Sequence, residues 1–169
     1  MPCSVRDVDE FVSTHYLGKR PGVVVLALMM LQDWFAVGMI LYALPPRETA
    51  KRYGGVTWEM ARLWIGDEIP KNGESWLIAK SVKYIRRERP EVVALVTYAD
   101  PSVGHSGAVY KAANWVEDGR TDEGRTTPRF DLQDAKTGKR YGRRSHVPEG
   151  ADVVRVPRVS KSRFIYRLR

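Results

Sequence analysis

The sequence predicts an α+β (mixed α/β) domain built on one mixed sheet, and two observations carry that reading. Residues 23–31 and 34–44 are apolar runs divided by a short polar turn, which reads as an antiparallel hairpin. From residue 56 the pattern becomes strand, loop, helix, strand, helix, which contains one βαβ unit and therefore one parallel strand pair. A chain of 169 residues with 43% hydrophobic content is long enough to bury one core. Fourteen glycines and ten prolines mark many turns and argue against a coiled coil.

Each element follows from local chemistry. The apolar stretch 23–45 is long enough to cross a bilayer, but Gln32-Asp33 falls near its middle. An unpaired charge there costs about 2.5 kcal/mol or more, so two strands are predicted and no membrane partner. RETAKRYGG, 47–55, is a short helix or turn ending on glycines. VTWEMARLWIG, 56–66, alternates with period two, which predicts a strand carrying Trp58, Met60, Arg62 and Trp64 on one face. DEIPKNGES is a loop. SWLIAKSVKYIRRERP, 75–90, sets Leu77, Ile78, Val82 and Ile85 at helical period. Lys80, Lys83, Arg86 and Arg87 lie away from that stripe or at its edge, and Pro90 stops the helix. EVVALVTYAD, 91–100, is a buried strand expected beside and parallel to 56–66, and GHSGAVYKAANW, 104–115, reads as a second helix. The terminal SKSRFIYRLR alternates basic and apolar residues, as a closing strand or an arm does.

Cys3 is the single cysteine, so no intrachain disulfide forms, which fits a reducing cytoplasm. Asp7, Asp9 and Glu10 without an apolar run argue against a secretory signal. The net charge of +8 is unevenly placed. Residues 1–119 hold 14 Lys+Arg and 14 Asp+Glu, whereas residues 120–169 hold 14 and 6. The whole excess sits in the last fifty residues, where a polyanion feels it.

Ligands of a parallel pair lie beyond the carboxyl ends of its strands, here GDEIPKNGES and ADPSVGHSG. The first loop runs into a helix start at Gly73-Glu74-Ser75, whose amides and dipole suit a pyrophosphate, with the Ser75 hydroxyl as a further donor. The competing reading is that Asn72 or Ser75 caps the helix, since no full glycine-rich fingerprint is present. The second loop gathers Asp100, His105 and Tyr110 as candidate catalytic groups. Separately they also read as a turn-forming Asp before Pro101, a surface His and a Tyr on another helix face. His15-Tyr16 in FVSTHYLGKRPG adds a further His and phenol; His15 with a carboxylate such as Asp100 is a candidate Fe(II) or Zn set, or packs near the sheet edge.

HYLG, ARLW, KNGESWLIAKSVK and TYADPSVGHSGAVYKAANW together resemble the Mom DNA-modification proteins of bacteriophages, within the GNAT N-acyltransferase fold. The match spans residues 11–119, and the Y-A-D, G-H-x-G, Y-K-A-x-N run is its specific part. The resemblance implies a GNAT-like central sheet, mixed and mostly antiparallel, with a splayed parallel pair at 56–66 and 91–99 and flanking helices. It implies a catalytic core over 1–119, with a basic extension over 120–169 that completes the domain and contacts double-stranded DNA. The implied activity converts adenine in DNA to N6-(carbamoylmethyl)adenine, shielding phage DNA from restriction in the host cytoplasm. Acetyl-CoA is implied in the splay, with Arg62 and Ser75 on its side. Asp100 and Tyr110 fall at the implied reaction centre, and His15 and Tyr16 where the family is thought to hold iron. A target adenine must leave the helix stack, and Trp115 or Tyr98 is an aromatic on which it stacks. Two other classes stay open: a conventional N-acetyltransferase of a small amine or protein, and an inactive DNA-binding relative. Oligomeric state also stays open, a homodimer included.

Overall fold

The computed structural model describes residues 1–15, 18–141 and 146–169. The fold starts with the hairpin of β1 (Val24–Gln32) and β2 (Phe35–Ala43). Its two-residue turn, Asp33-Trp34, has both residues at positive φ (47° and 72°), the twist that suits an antiparallel hairpin. The apolar excess of this stretch has a plain cause: β2 lies inside the sheet and is covered on both faces. Ile40 and Tyr42 face one hydrophobic cluster, Met39 and Leu41 the other. Among the described residues no helix is long and apolar enough to cross a membrane.

The remaining helices and strands complete the frame. These are α1 (Asp9–Thr14), α2 (Arg47–Tyr53), β3 (Val56–Ile65), α3 (Gly73–Glu88), β4 (Val92–Ala99), α4 (Ala108–Ala112) and β5 (Val116–Arg120). β6 (Phe130–Asp134), β7 (Arg140–Tyr141), β8 (Val153–Pro157) and β9 (Ser162–Arg167) follow. The main sheet runs β1-β2-β3-β4-β9-β5, and a smaller antiparallel sheet runs β7-β6-β8. β3 and β4 are parallel and all other pairs in the main sheet are antiparallel, as the βαβ pattern predicts. The terminal segment is a strand and not an arm: β9 enters between β4 and β5, with Phe164 completely buried.

The parallel ladder is short. It runs from Val56 opposite Val92 to Glu59 opposite Val96, and then the strands part although both continue. On its other edge β3 pairs Met60 with Tyr42 and Arg62 with Leu41, which leaves Ala61 as the extra residue of a β-bulge. The bulge overturns one expectation. Trp58 and Met60 pack toward α3 with Leu63 and Ile65, but Arg62 and Trp64 do not share their face. Trp64 instead meets Phe11 of α1, with ring centroids 4.7 Å apart. One inserted residue inverts the alternation, so Arg62 joins Glu59 on the α1 side. Where the ladder ends, the Thr97 hydroxyl donates to the Met60 carbonyl at 3.0 Å.

Packing of α3 follows its apolar stripe. Leu77, Ile78, Val82 and Ile85 are buried against Tyr42, Trp58, Leu95 and Phe164. Each such side chain contributes about 1.5–3 kcal/mol when fully buried. The second predicted helix is much shorter than 104–115. Asp100 caps a one-turn 3-10 segment at Pro101–Val103, and Gly104 and Gly107 both take left-handed φ (79° and 81°), so α4 begins only at Ala108. Gly107 is also a point of close approach, since a Cβ there falls 2.3 Å from the Phe164 ring.

Candidate active site

Beyond the last rung of the parallel ladder, the splay between β3 and β4 opens into a cavity of about 350 Å³, within the size range of small-molecule sites. β3 supplies residues 59 to 63 and β4 supplies Thr97 and Tyr98. The bend and start of α4 add His105, Gly107 and Tyr110, the first turn of α3 adds Glu74, and His15 and Lys161 complete the wall. The cavity is lined from both faces of the sheet. Glu59 and Arg62 belong to the α1 side, whereas Val109 and Tyr110 pack into the core on the α3 side.

Its electrostatics are set by burial and by two cations. Burial pushes the Glu59 carboxyl above its usual range, against the opposite pull of Arg62 and Lys161. Burial, the charge of Arg62 and the nearby His105 bring His15 down to about 4, so its imidazole is neutral at physiological pH. Arg62 is buried and donates to the Lys19 carbonyl at 2.7 and 3.1 Å and to the Ala61 carbonyl at 2.6 Å. It thereby fixes a positive charge on the wall and ties the 18–20 segment to the bulge. Tyr98, raised by burial, shares a 3.1 Å hydrogen bond with Thr49.

The residues singled out in the sequence divide into groups. His15, Arg62, His105 and Tyr110 come together on the cavity wall. Asp100 stands one step back: its carboxylate accepts from Lys161 Nζ at 2.7 Å and from the Ser102 amide and hydroxyl at 3.0 and 2.5 Å. Burial opposes ionisation of Asp100, but Lys161 and Ser102 outweigh it and hold the carboxyl below its usual range. Gly73 and Ser75 lie in the first turn of α3, beside Glu74 rather than on the cavity wall. A Cβ on Gly73 falls 2.4 Å from Ile69, so this glycine has a packing reason. The Ser75 hydroxyl donates to the Asn72 carbonyl at 3.0 Å, and Asn72 makes no side-chain cap. Tyr16 lies outside the described residues. Trp115 is no stacking platform: it is only 3% exposed and packs against Tyr110 and Tyr166, with ring centroids at 6.2 and 5.9 Å. Tyr98 is the aromatic that reaches the cavity from β4.

Sequence reasoning missed Glu59 and Lys161. Glu59 carried a signal, an acid between the buried Trp58 and Met60 in an apolar strand. Lys161 carried none, because its partner Asp100 is 61 positions away and only the β4–β9 pairing brings them together. The donor set for iron is incomplete: among the described residues no three His, Cys, Asp or Glu side chains gather as a metal site. Asp100 in particular is engaged by Lys161 and Ser102. The described residues alone do not make an iron site.

A sequence model described as the Mom protein family matches residues 4–168. The chain belongs to the Mom protein family. One Mom relative is the methylcarbamoylase Mom of Escherichia phage Mu, 39% identical over 57 residues. That aligned stretch is 34% of this chain and only 24% of the phage Mu protein. Among solved structures, a ribosomal-protein-alanine N-acetyltransferase from Brucella melitensis superposes with a TM-score of 0.52 at 11% identity, covering 98% of this chain and 79% of that one. A GNAT-family protein from Desulfovibrio desulfuricans gives a TM-score of 0.50 at 10% identity, covering 85% and 69%. An N-acetyltransferase from Staphylococcus aureus Mu50 gives 0.50 at 12% identity, covering 85% and 68%. At such identities the likeness is one of fold, and the fold of this Mom protein is that of the GNAT acetyltransferases.

Proposed function

We propose that this Mom protein is a transferase that modifies adenine in phage DNA to N6-(carbamoylmethyl)adenine, evading restriction in the host cytoplasm, with an acyl-coenzyme A in the splay. The observation that carries the reading is the break in the β3–β4 ladder after Glu59 and Val96, which opens a cavity holding a half-buried acid beside fixed cations. Membership of the Mom family supplies the substrate class, and the relative from phage Mu is named a methylcarbamoylase.

In this reading the adenine leaves the DNA stack and enters from the α1 side, where Tyr98 packs on its ring. The exocyclic amine is a poor nucleophile, and it becomes reactive as it gives up a proton. Glu59 is the acceptor, because burial has raised its affinity for that proton. Tyr110, on the other wall, and His105, near His15, are the groups that would return one. Lys161, oriented by Asp100, holds negative charge at the mouth. The first turn of α3 is the proposed anchor for the pyrophosphate. The Gly73 and Trp76 amides are taken by the Pro70 and Asn72 carbonyls, which leaves the Glu74 and Ser75 amides for an anion. Arg62 contributes its fixed charge from the wall. An acyl-coenzyme A bound there would be the source of the two-carbon unit. The N6–CH2 bond of the product is to the carbon beside the carbonyl, so its formation is an oxidative step distinct from acyl transfer, and the amide nitrogen comes from a separate donor.

Nucleoside mass spectrometry on DNA from bacteria expressing the chain tests the reading. The expected result is a modified adenine that is lost in Tyr110→Phe and Asp100→Ala. Unmodified DNA in the presence of folded wild-type protein overturns it, and acetylation of free amines without DNA indicates the conventional acetyltransferase instead.

A further inference from the structure

The connection between the small sheet and the cavity is a ladder of short hydrogen bonds. The Thr121 amide donates to the Lys161 carbonyl at 3.0 Å, and the Lys161 amide returns to the Thr121 hydroxyl at 3.1 Å. Arg120 donates to Ser160 Oγ and O, both at 3.1 Å, and Ser160 donates to Asp122. One step further, the Arg158 amide donates to the Arg129 carbonyl at 2.8 Å. The segments 120–129 and 158–161 therefore run together, and they end at Lys161 on the cavity wall.

The acids along this track are already engaged. Asp131 pairs with Arg158, Glu123 with Arg163 at 3.5 Å, and Asp122 accepts from Ser160. Asp134 caps its own turn through the Lys136 and Thr137 amides. Among the described residues neither Arg125 nor Arg129 has an ion pair, and both side chains are exposed. Partial burial and then the guanidinium groups of Arg158 and Arg125 pull Arg129 below its usual range, outweighing the opposite pull of Asp131 and Asp122. Cations that Asp131 and Asp122 offset only in part leave a residual positive field, which becomes favourable once an anion sits among them.

We infer that Arg125 and Arg129, backed by Arg158, form a phosphodiester-binding site that holds the DNA strand beside the cavity mouth and sets where the extruded adenine emerges. This rests on the proposed DNA substrate and names the residues that would grip it. Lys161 then stands between the held backbone and the cavity.

Fluorescence anisotropy of a labelled DNA duplex, titrated at several salt concentrations, reads this directly. Each lost phosphate contact removes about 0.9 from the slope of log affinity against log salt. Arg125→Ala/Arg129→Ala is expected to lower that slope by about 2 and to weaken binding by roughly tenfold or more at 0.1 M salt. Arg125→Lys/Arg129→Lys, which keeps both charges, retains most of the slope. Lys83→Ala/Arg87→Ala, on the exposed face of α3, binds as wild type. Wild-type affinity and slope in the double alanine variant, with an unchanged circular dichroism melt, overturns the site. The enzymatic reading fails separately: arginine-dependent DNA binding without modified adenine counts against the chemistry and leaves the phosphate site standing.

Discussion

The two sheets of this protein solve different problems. The six-stranded sheet buries Tyr42, Met39, Ile40, Leu95 and Phe164 completely between helices and carries the cavity. The three-stranded sheet has strands of five, two and five residues, and Tyr141 is its one fully covered large side chain among those described. Too small to hold a core of its own, it is braced internally by the Arg158–Asp131 pair and tied to the frame by the hydrogen bonds that reach Lys161. Residues 120–169, which contain this sheet together with its flanking segments and β9, hold the entire charge excess. The contrast teaches a division of labour. Precise placement of reacting groups needs a packed frame, whereas capture of a polyanion needs exposed charge on a short tether.

That contrast breaks most visibly at Glu59. Glu59→Gln removes the proposed proton acceptor and is expected to reduce adenine modification by at least about 100-fold, read by nucleoside mass spectrometry. The same variant is expected to melt higher at pH 7. A carboxyl raised by burial stabilises the fold below its ordinary value of 4.5 and loses that contribution as pH rises through its folded value. The gap between variant and wild type therefore closes in acid, which a series of melts from pH 4 to 8 checks. A variant less stable at pH 7 makes Glu59 structural.

Phe164→Ala attacks the frame itself. Loss of this fully buried ring, which meets Tyr110 at 5.3 Å, is expected to cost about 3–5 kcal/mol in denaturant unfolding. Gly107→Ala asks less of the protein. Its Cβ meets the same ring and the backbone has φ 81°, so a loss of about 1–3 kcal/mol is expected, together with reduced modification because the residue lines the cavity. Val154→Ala in the small sheet is the smallest case. Its side chain is exposed, and stability is expected to stay within about 0.5 kcal/mol of wild type. A large loss there reverses the comparison and makes the small sheet part of the frame.

Local pattern made much of the frame legible. The hairpin, the helix between the parallel strands and its apolar stripe, and the parallel pair itself follow from periodicities of 2 and 3.6 and from one handed connection. The site was legible only in part. His105 and Tyr110 sit in one short stretch, and their approach to Arg62 followed from the strand ends. Asp100 was visible as an anomaly, but its role behind Lys161 was not. The face of Arg62 was misread because a bulge at Ala61 is decided by the register of β2, which no reading of β3 alone contains. The helix over 104–115 was overextended because Gly107 looks like a tolerated small residue until Phe164 is placed against it.

By itself the sequence determined which segments are strands and helices, that two strands must run parallel, and that the positive charge gathers at one end. These depend on neighbours within a few positions, where covalent geometry and hydrophobic period leave few choices. The tertiary structure alone decided that β9 enters between β4 and β5, that Lys161 meets Asp100, and that the β3–β4 ladder parts after Glu59. Those outcomes depend on contacts dozens of residues apart. Each is selected by the joint packing of the whole sheet, and no short stretch of chain carries that information.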